Sequence, residues 1–187
     1  LPSYSQSLLW GRTSFRPTKI DHQVASKRKD DTRLHVDSFS ASPVYGNRIL
    51  RVFTNINPYG ESRVWHVGES FDQVLTKFAR GIPRYNYLVA AFLKLVKTTK
   101  TLRSPYDHYQ IYLHDRMKRD DSYQETVAKQ RIDFPANSTW VVFTDQTSHA
   151  ALSGQFLLEQ TFYLPISAMT NPELSPFRKW EKKKGAL

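Results

Sequence analysis

The sequence predicts a mainly β fold of the small-barrel or jelly-roll type, carrying a helical insert (an α+β chain). Three observations predict it. Segments with the two-residue alternation of strands lie toward both ends of the chain, and the period turns helical within residues 70–123. Aromatic residues make up 13% of the chain, enough to suggest a β-rich core or a ring-lined cavity. No Gly-rich loop follows any strand, which argues against a doubly wound nucleotide-binding sheet. The 187 residues are expected to form one domain, with no internal repeat. A chain of this size buries roughly 70% of its unfolded surface and needs no disulfide or structural metal to fold.

Residues 1–31 are polar and rich in turn formers, and read as an irregular arm ending in Lys27-Arg28-Lys29-Asp30-Asp31. Thr32–Phe39 alternates as a strand, and Pro43 and Gly46 make Ser40–Asn47 a loop. Arg48–Asn57 is the clearest strand. Leu50, Val52, Thr54 and Ile56 would share one face, with Arg51, Phe53, Asn55 and Asn57 on the other. Arg63–Val67 is a further short strand. Helical spacing follows in Ser70–Arg80 and Asn86–Thr99. Lys94, Lys97 and Lys100 make the second helix basic and amphipathic, suited to an anionic lipid surface or simply to solvent. Tyr109–Leu113 reads as strand or helix start, and Asp115–Tyr123 as polar helix or loop. Gln130–Phe134, Thr139–Thr144, His149–Leu152 and Gln155–Leu164 are strands. The tail, 172–187, is basic and partly helical.

The charge balance excludes little but directs attention. Lys plus Arg number 27 against 17 for Asp plus Glu, a net charge of +10, which attracts polyanions. Cysteine is absent, so disulfides, iron–sulfur clusters and thiolate zinc sites are ruled out. No apolar run reaches the ~18 residues of a spanning helix. Leu1–Trp10 lacks the pattern of a signal peptide, although the chain opens without Met and upstream residues stay open.

Chemistry concentrates in His35-Val36-Asp37. On a strand, residues two apart project to the same face, so His35 and Asp37 can grip one ion from one side. A second histidine from a distant strand would complete a 2-His-1-carboxylate facial triad, with the remaining positions open. An H-x-D tripeptide alone recurs by chance on exposed strands. Of the other histidines, His22, His66 and His108 suit surface or supporting positions, leaving His149 and, as a rival, His114. The stretch FPANSTWVVFTDQTSHAALSGQF, holding His149, resembles the distal-histidine segment of 2-oxoglutarate oxygenases. This ligand set favours iron, while zinc sites with two histidines and a carboxylate also exist. A 2-oxoglutarate carboxylate needs a cation, ideally the planar fork of arginine. The strand after His149 has no basic residue, so the choice falls on Arg51, with Asn55 and Gln155 as helpers. Arg51 could instead pair with Glu159 for structure.

At greater length the chain resembles the bacterial Kdo (3-deoxy-D-manno-oct-2-ulosonic acid) 3-hydroxylases. The strings SFRP, KRKDDTRLHVDSF, RILRVFTNINP, RVWHVGESF, LHDRMK, FPANSTWVVFTD and SHAALSGQFLLEQTF carry the likeness, from about Ser14 to Phe162. The resemblance implies a double-stranded β-helix (cupin-like jelly-roll) core, with iron ligands at His35, Asp37 and His149. It implies cofactors Fe(II), 2-oxoglutarate and O2, with ascorbate a candidate stimulant. The reaction would be hydroxylation of carbon 3 of a Kdo residue on Kdo-lipid A, giving Ko. The location would be cytoplasmic, peripheral at the inner-membrane face, with no nucleic acid as partner and the oligomeric state open. Arg33, Arg48, Arg63, His66 and Lys118 flank the motif strings and are candidates for meeting substrate carboxylate or phosphate, or are plain structural charges.

Two readings from other classes compete. One is a jelly-roll module that holds an anionic glycolipid or other polyanion without catalysis; such a binder has no use for two histidines and an aspartate on one ion. The other is a cupin-type metal-dependent isomerase or hydrolase, which would neither consume O2 nor release succinate.

Overall fold

The computed structural model describes residues 2–20, 26–185 and 187. Seven strands build two antiparallel sheets. They are β1 (Leu9–Arg16), β2 (Arg48–Asn55), β3 (Arg63–Val67), β4 (Gln130–Phe134), β5 (Thr139–Phe143), β6 (His149–Ser153) and β7 (Leu157–Leu164). One sheet has the order β1-β7-β2-β5, the other β4-β3-β6. Their inner faces meet through Phe53 and Trp140 from the first sheet against Trp65 and Phe134 from the second. The Phe53 and Trp65 rings stand 5.2 Å apart and those of Phe134 and Trp140 3.8 Å apart. This aromatic plug, with Ala151 and Leu157, closes one end of the space between the sheets. Its outer counterpart is the larger core, where α1 (Phe71–Phe78), α3 (Pro105–Arg119), α4 (Asp121–Thr126) and α5 (Pro176–Lys184) lend side chains to Leu34, Val36 and Ile49. The result is the jelly roll with a helical insert.

Local chemistry explains the helices. Ser70 and Gln73 close α1 with a reciprocal cap, and Ser104 and Asp107 do the same for α3, which begins on Pro105. In α3, Tyr106, Tyr109, Leu113 and Met117 follow the three-to-four spacing of one buried face. α2 (Tyr87–Leu95) differs: its only buried residue is Ala90.

Two elements depart from the sequence expectation, and a third, the basic tail, is helical as expected but packed against the core. Residues 1–31 are not an irregular arm throughout, because β1 pairs with β7 along the sheet edge. Thr32–Phe39 does not form a strand. Its single bridge joins His35 to His149, and the Gln124 side-chain amide takes both backbone groups of Leu34, at 2.8 and 2.9 Å, where a ladder neighbour would stand. The strand-like alternation nevertheless holds, with Leu34 and Val36 in the helical core and His35 and Asp37 turned to the cavity between the sheets. Finally, the C-terminal segment is docked by Trp180, which is fully buried and donates its indole N–H to Gln110 Oε1 at 2.9 Å.

Candidate active site

His35 and His149 are brought face to face by backbone pairing. His35 N–H donates to the His149 carbonyl at 3.0 Å and His149 N–H returns the bond at 2.9 Å. Directly opposed residues of an antiparallel pair put their side chains on one face. The two rings accordingly lie 4.6 Å apart. Asp37, two residues on, joins them. The three residues are buried, and their ligand atoms all lie within 4.8 Å of one another. Among the described residues no other group of three or more His, Asp or Glu side chains converges in this way.

Each imidazole is oriented for metal. Nδ1 of His35 lies 2.8 Å from the Arg33 carbonyl, and Nδ1 of His149 lies 2.8 Å from the Thr147 carbonyl. A carbonyl only accepts, so Nδ1 carries a proton in each ring, which leaves Nε2 as the nitrogen that can bind a cation. Burial, followed by the neighbouring His35, brings the His149 imidazole down to about 4, which keeps it neutral at neutral pH. Trp65 stacks on its other face at 5.0 Å. Burial pushes the Asp37 carboxyl up, but Arg51 and the two histidines outweigh it and hold the group well below the usual carboxylate range. Asp37 Oδ2 makes no hydrogen bond although it is buried, 3.2 Å from Arg51 Nη1. A buried acceptor of this kind, beside two Nε2 lone pairs, fits a divalent cation.

The cavity around this cluster measures about 220 Å³. Arg16, Arg28, Arg51, Arg63 and Lys118 line it against two carboxylates, Asp31 and Asp37, so its lining favours an anion. Glu159, on β7, holds two of these cations, Arg16 at 2.8 Å and Arg51 at 3.5 Å. The missing basic residue on that strand is thus replaced by an acid that gathers arginines from β1 and β2. Arg51 Nε and Trp65 Nε1 are buried donors without a partner among the described residues. Among the described residues Arg63 has no carboxylate within ion-pair distance; it donates to the Gly154 carbonyl at 2.9 Å, and burial lowers its guanidinium to about 10, with Arg16 adding to the effect.

The other expected site residues are redistributed. Lys118 lines the cavity, tied to Asp31 at 2.9 Å. Asn55 does not: its amide donates to the Glu61 and Phe134 carbonyls and accepts from Asn57 N–H, so its polar capacity is spent on the turn after β2. Gln155 reaches only the Pro17 carbonyl at 3.4 Å, outside the cavity. Arg48 is buried against Asp145 at 2.7 Å and Gln146, a structural pair. Arg33 is taken by the Lys118 carbonyl and Asp121. His66 follows Trp65 on β3, and alternation turns it to the opposite face. His114 lines the cavity edge-on to His35 but directs Nδ1 to Asp115 at 3.0 Å and is not part of the cluster. His108 binds the Pro83 carbonyl, and His22 lies outside the described residues. Arg16 and Trp65 were not among the expected residues, although they sit in the strings SFRP and RVWHV; a basic residue in the arm and an indole in a strand carry no local mark of a cavity.

A buried His-Asp-His set opening into a cationic cavity of a jelly roll is the arrangement found in the class of non-haem iron oxygenases. Comparison with known proteins narrows that class. The chain belongs to the 3-deoxy-D-manno-oct-2-ulosonic acid (Kdo) hydroxylase family, whose model matches residues 1–186. Its fold is also that of solved structures of the Kdo hydroxylase KdoO, described as a non-heme Fe(II) alpha-ketoglutarate-dependent dioxygenase. The cobalt(II) complex is 49% identical with a TM-score of 0.94, covering 98% of this chain and 62% of that one. The complex with alpha-ketoglutarate and Fe(III) gives the same values. The apo form is 48% identical with a TM-score of 0.96, covering 100% of this chain and 63% of that one. The chain therefore spans somewhat under two thirds of the length of these structures. No curated protein matched it.

Proposed function

We propose that the protein is an Fe(II)- and 2-oxoglutarate-dependent dioxygenase that hydroxylates carbon 3 of a Kdo residue of Kdo-lipid A. The observation that carries this reading is the convergence of His35, Asp37 and His149 in a chain of the Kdo hydroxylase family. Iron(II) with 2-oxoglutarate and O2 supplies the oxidation, in which the cosubstrate loses CO2 to become succinate and one oxygen atom enters a substrate C–H bond. His35 and His149 give neutral nitrogen ligands and Asp37 the negative one, all from one side. Arg16 and Arg51, braced by Glu159, and the Trp65 N–H bind the cosubstrate carboxylate. Arg63 and Lys118 face the sugar acid from the same cavity. The aromatic plug keeps water from that end of the cavity. The enzyme works at the cytoplasmic face of the inner membrane, where an anionic glycolipid is presented; no helix of the described residues is long and apolar enough to cross a membrane.

The test is incubation of a Kdo-lipid with the protein, Fe(II), 2-oxoglutarate and air. A gain of one oxygen atom on the sugar, with one succinate formed per product, is expected by mass spectrometry. A metal-loaded protein yielding neither would overturn the assignment.

A further inference from the structure

α2 is apolar on the side that faces water. Leu88 and Leu95 are 76% and 77% exposed, and Phe92 is 60% exposed. Together with Val96 they stand at positions i, i+4, i+7 and i+8, one continuous stripe, with Ala90 facing the protein instead. Tyr87 and Val89 widen the exposed surface. A contiguous exposed apolar stripe marks an interaction site.

Charge identifies what covers it. Residues 73–106 contain seven basic residues and no acid. Arg84, Lys94, Lys97 and Lys100 are exposed, and no ion pair is found for them among the described residues. A surface that is apolar at its centre and cationic at its rim matches an anionic bilayer, with apolar side chains at the acyl boundary and lysines reaching back to the headgroups.

Position adds the second argument. The chain leaving α2 is tied to the loop after the H-x-D motif, by Lys100 N–H to the Ala41 carbonyl at 2.8 Å and Arg103 Nη2 to the Ser40 carbonyl at 3.0 Å. Ser38 and Phe39 of that segment line the metal-site cavity. An adjoining groove of about 540 Å³ shares Arg16, Ser38, Phe39 and Arg51 with that cavity and reaches Lys100. The chain just beyond the apolar helix thus lines the groove that adjoins the metal-site cavity.

We infer that α2 is a membrane-docking helix, lying in the interface of an anionic bilayer and holding the cavity mouth against the headgroups. Its purpose rests on the hydroxylase reading, but its test does not. Vesicles of phosphatidylcholine, with and without phosphatidylglycerol, are sedimented with the protein in the absence of iron and cosubstrate. The protein is expected to sediment with the anionic vesicles. Leu88→Ser/Leu95→Ser should weaken that partitioning by about tenfold or more, and Lys94→Glu/Lys97→Glu should erase the preference for phosphatidylglycerol. Because the chain has no cysteine, Leu95→Cys accepts one environment-sensitive dye, whose emission should rise and shift to the blue on anionic vesicles. Wild-type protein left in the supernatant, a double serine variant that sediments like its parent, or a dye that does not respond would each overturn the inference. So would a wild-type dimer that the serine variant converts to monomer, since a second copy would then cover the stripe. Failure to hydroxylate a Kdo sugar would count against the enzyme and leave vesicle binding untouched.

Discussion

Two buried carboxylates arrange the cations of the cavity. Asp37 joins the His35 and His149 cluster and pairs with Arg51 through Oδ2 at 3.2 Å, whereas Glu159 holds Arg16 and Arg51 away from the histidines. Asp37→Asn should therefore abolish hydroxylation and binding of cobalt(II), followed by its visible spectrum, as should His35→Ala and His149→Ala; a variant that kept full activity would remove its residue from the ligand set. Among the described residues the Arg16 guanidinium pairs with Glu159 and Asp31, and not with Asp37. Arg16→Gln should raise the apparent KM for 2-oxoglutarate about tenfold, with cobalt affinity unchanged. An unaltered KM would take Arg16 out of the clamp. Arg48 belongs to stability instead. Arg48→Met leaves Asp145 buried without its cation and should cost about 3–5 kcal/mol, most of it recovered in Arg48→Met/Asp145→Asn, as read by urea unfolding.

Among the elements, the extended segment 34–37 shows how a strand pattern serves without a strand. Leu34 and Val36 fix it to the helical core, Gln124 satisfies Leu34, and a single bridge to β6 sets the register that opposes the histidines. α5 anchors the helical layer from outside. Trp180→Phe should retain most of the packing yet leave Gln110 Oε1 without its indole donor, a loss of roughly 1–3 kcal/mol. The turn between β6 and β7 is more exacting. Gly154 has φ +109°, and a Cβ there would come within 2.9 Å of Arg63 Cδ. Gly154→Ala should cost about 1–3 kcal/mol and displace Arg63, seen as lower stability together with a higher KM for the Kdo substrate.

For the molecule as a whole, a metal held by His35 and His149 only in the folded state would join distant parts of the chain and so report on the whole barrel. At a hundredfold excess over its Kd, cobalt(II) should add about 2.7 kcal/mol and raise Tm by roughly 5–10 °C for a chain of this size. The same addition should do nothing for His149→Ala; an equal rise there would place the ion elsewhere. Much of this was legible beforehand. Periodicity located β2 to β7 to within two residues and α1, α2 and α5 in outline, while the stretch of α3 and α4 stayed open between strand, helix and loop, and the strings around His35 and His149 pointed to the His-Asp-His cluster and the family. Alternation along β2 also put Arg51 and Phe53 on the inner face. It put Asn55 there too, but could not reveal that the turn beyond would consume its amide. The sequence by itself determined the residue types that can bind metal and the faces on which they lie, because those follow from chemistry and from a two-residue repeat. Only the tertiary structure decided which cations meet the cavity, which are spent on carboxylates, and that the apolar stripe of α2 is left exposed by the described residues. Those outcomes depend on what lies opposite each face, and the partners come from segments far away in the chain.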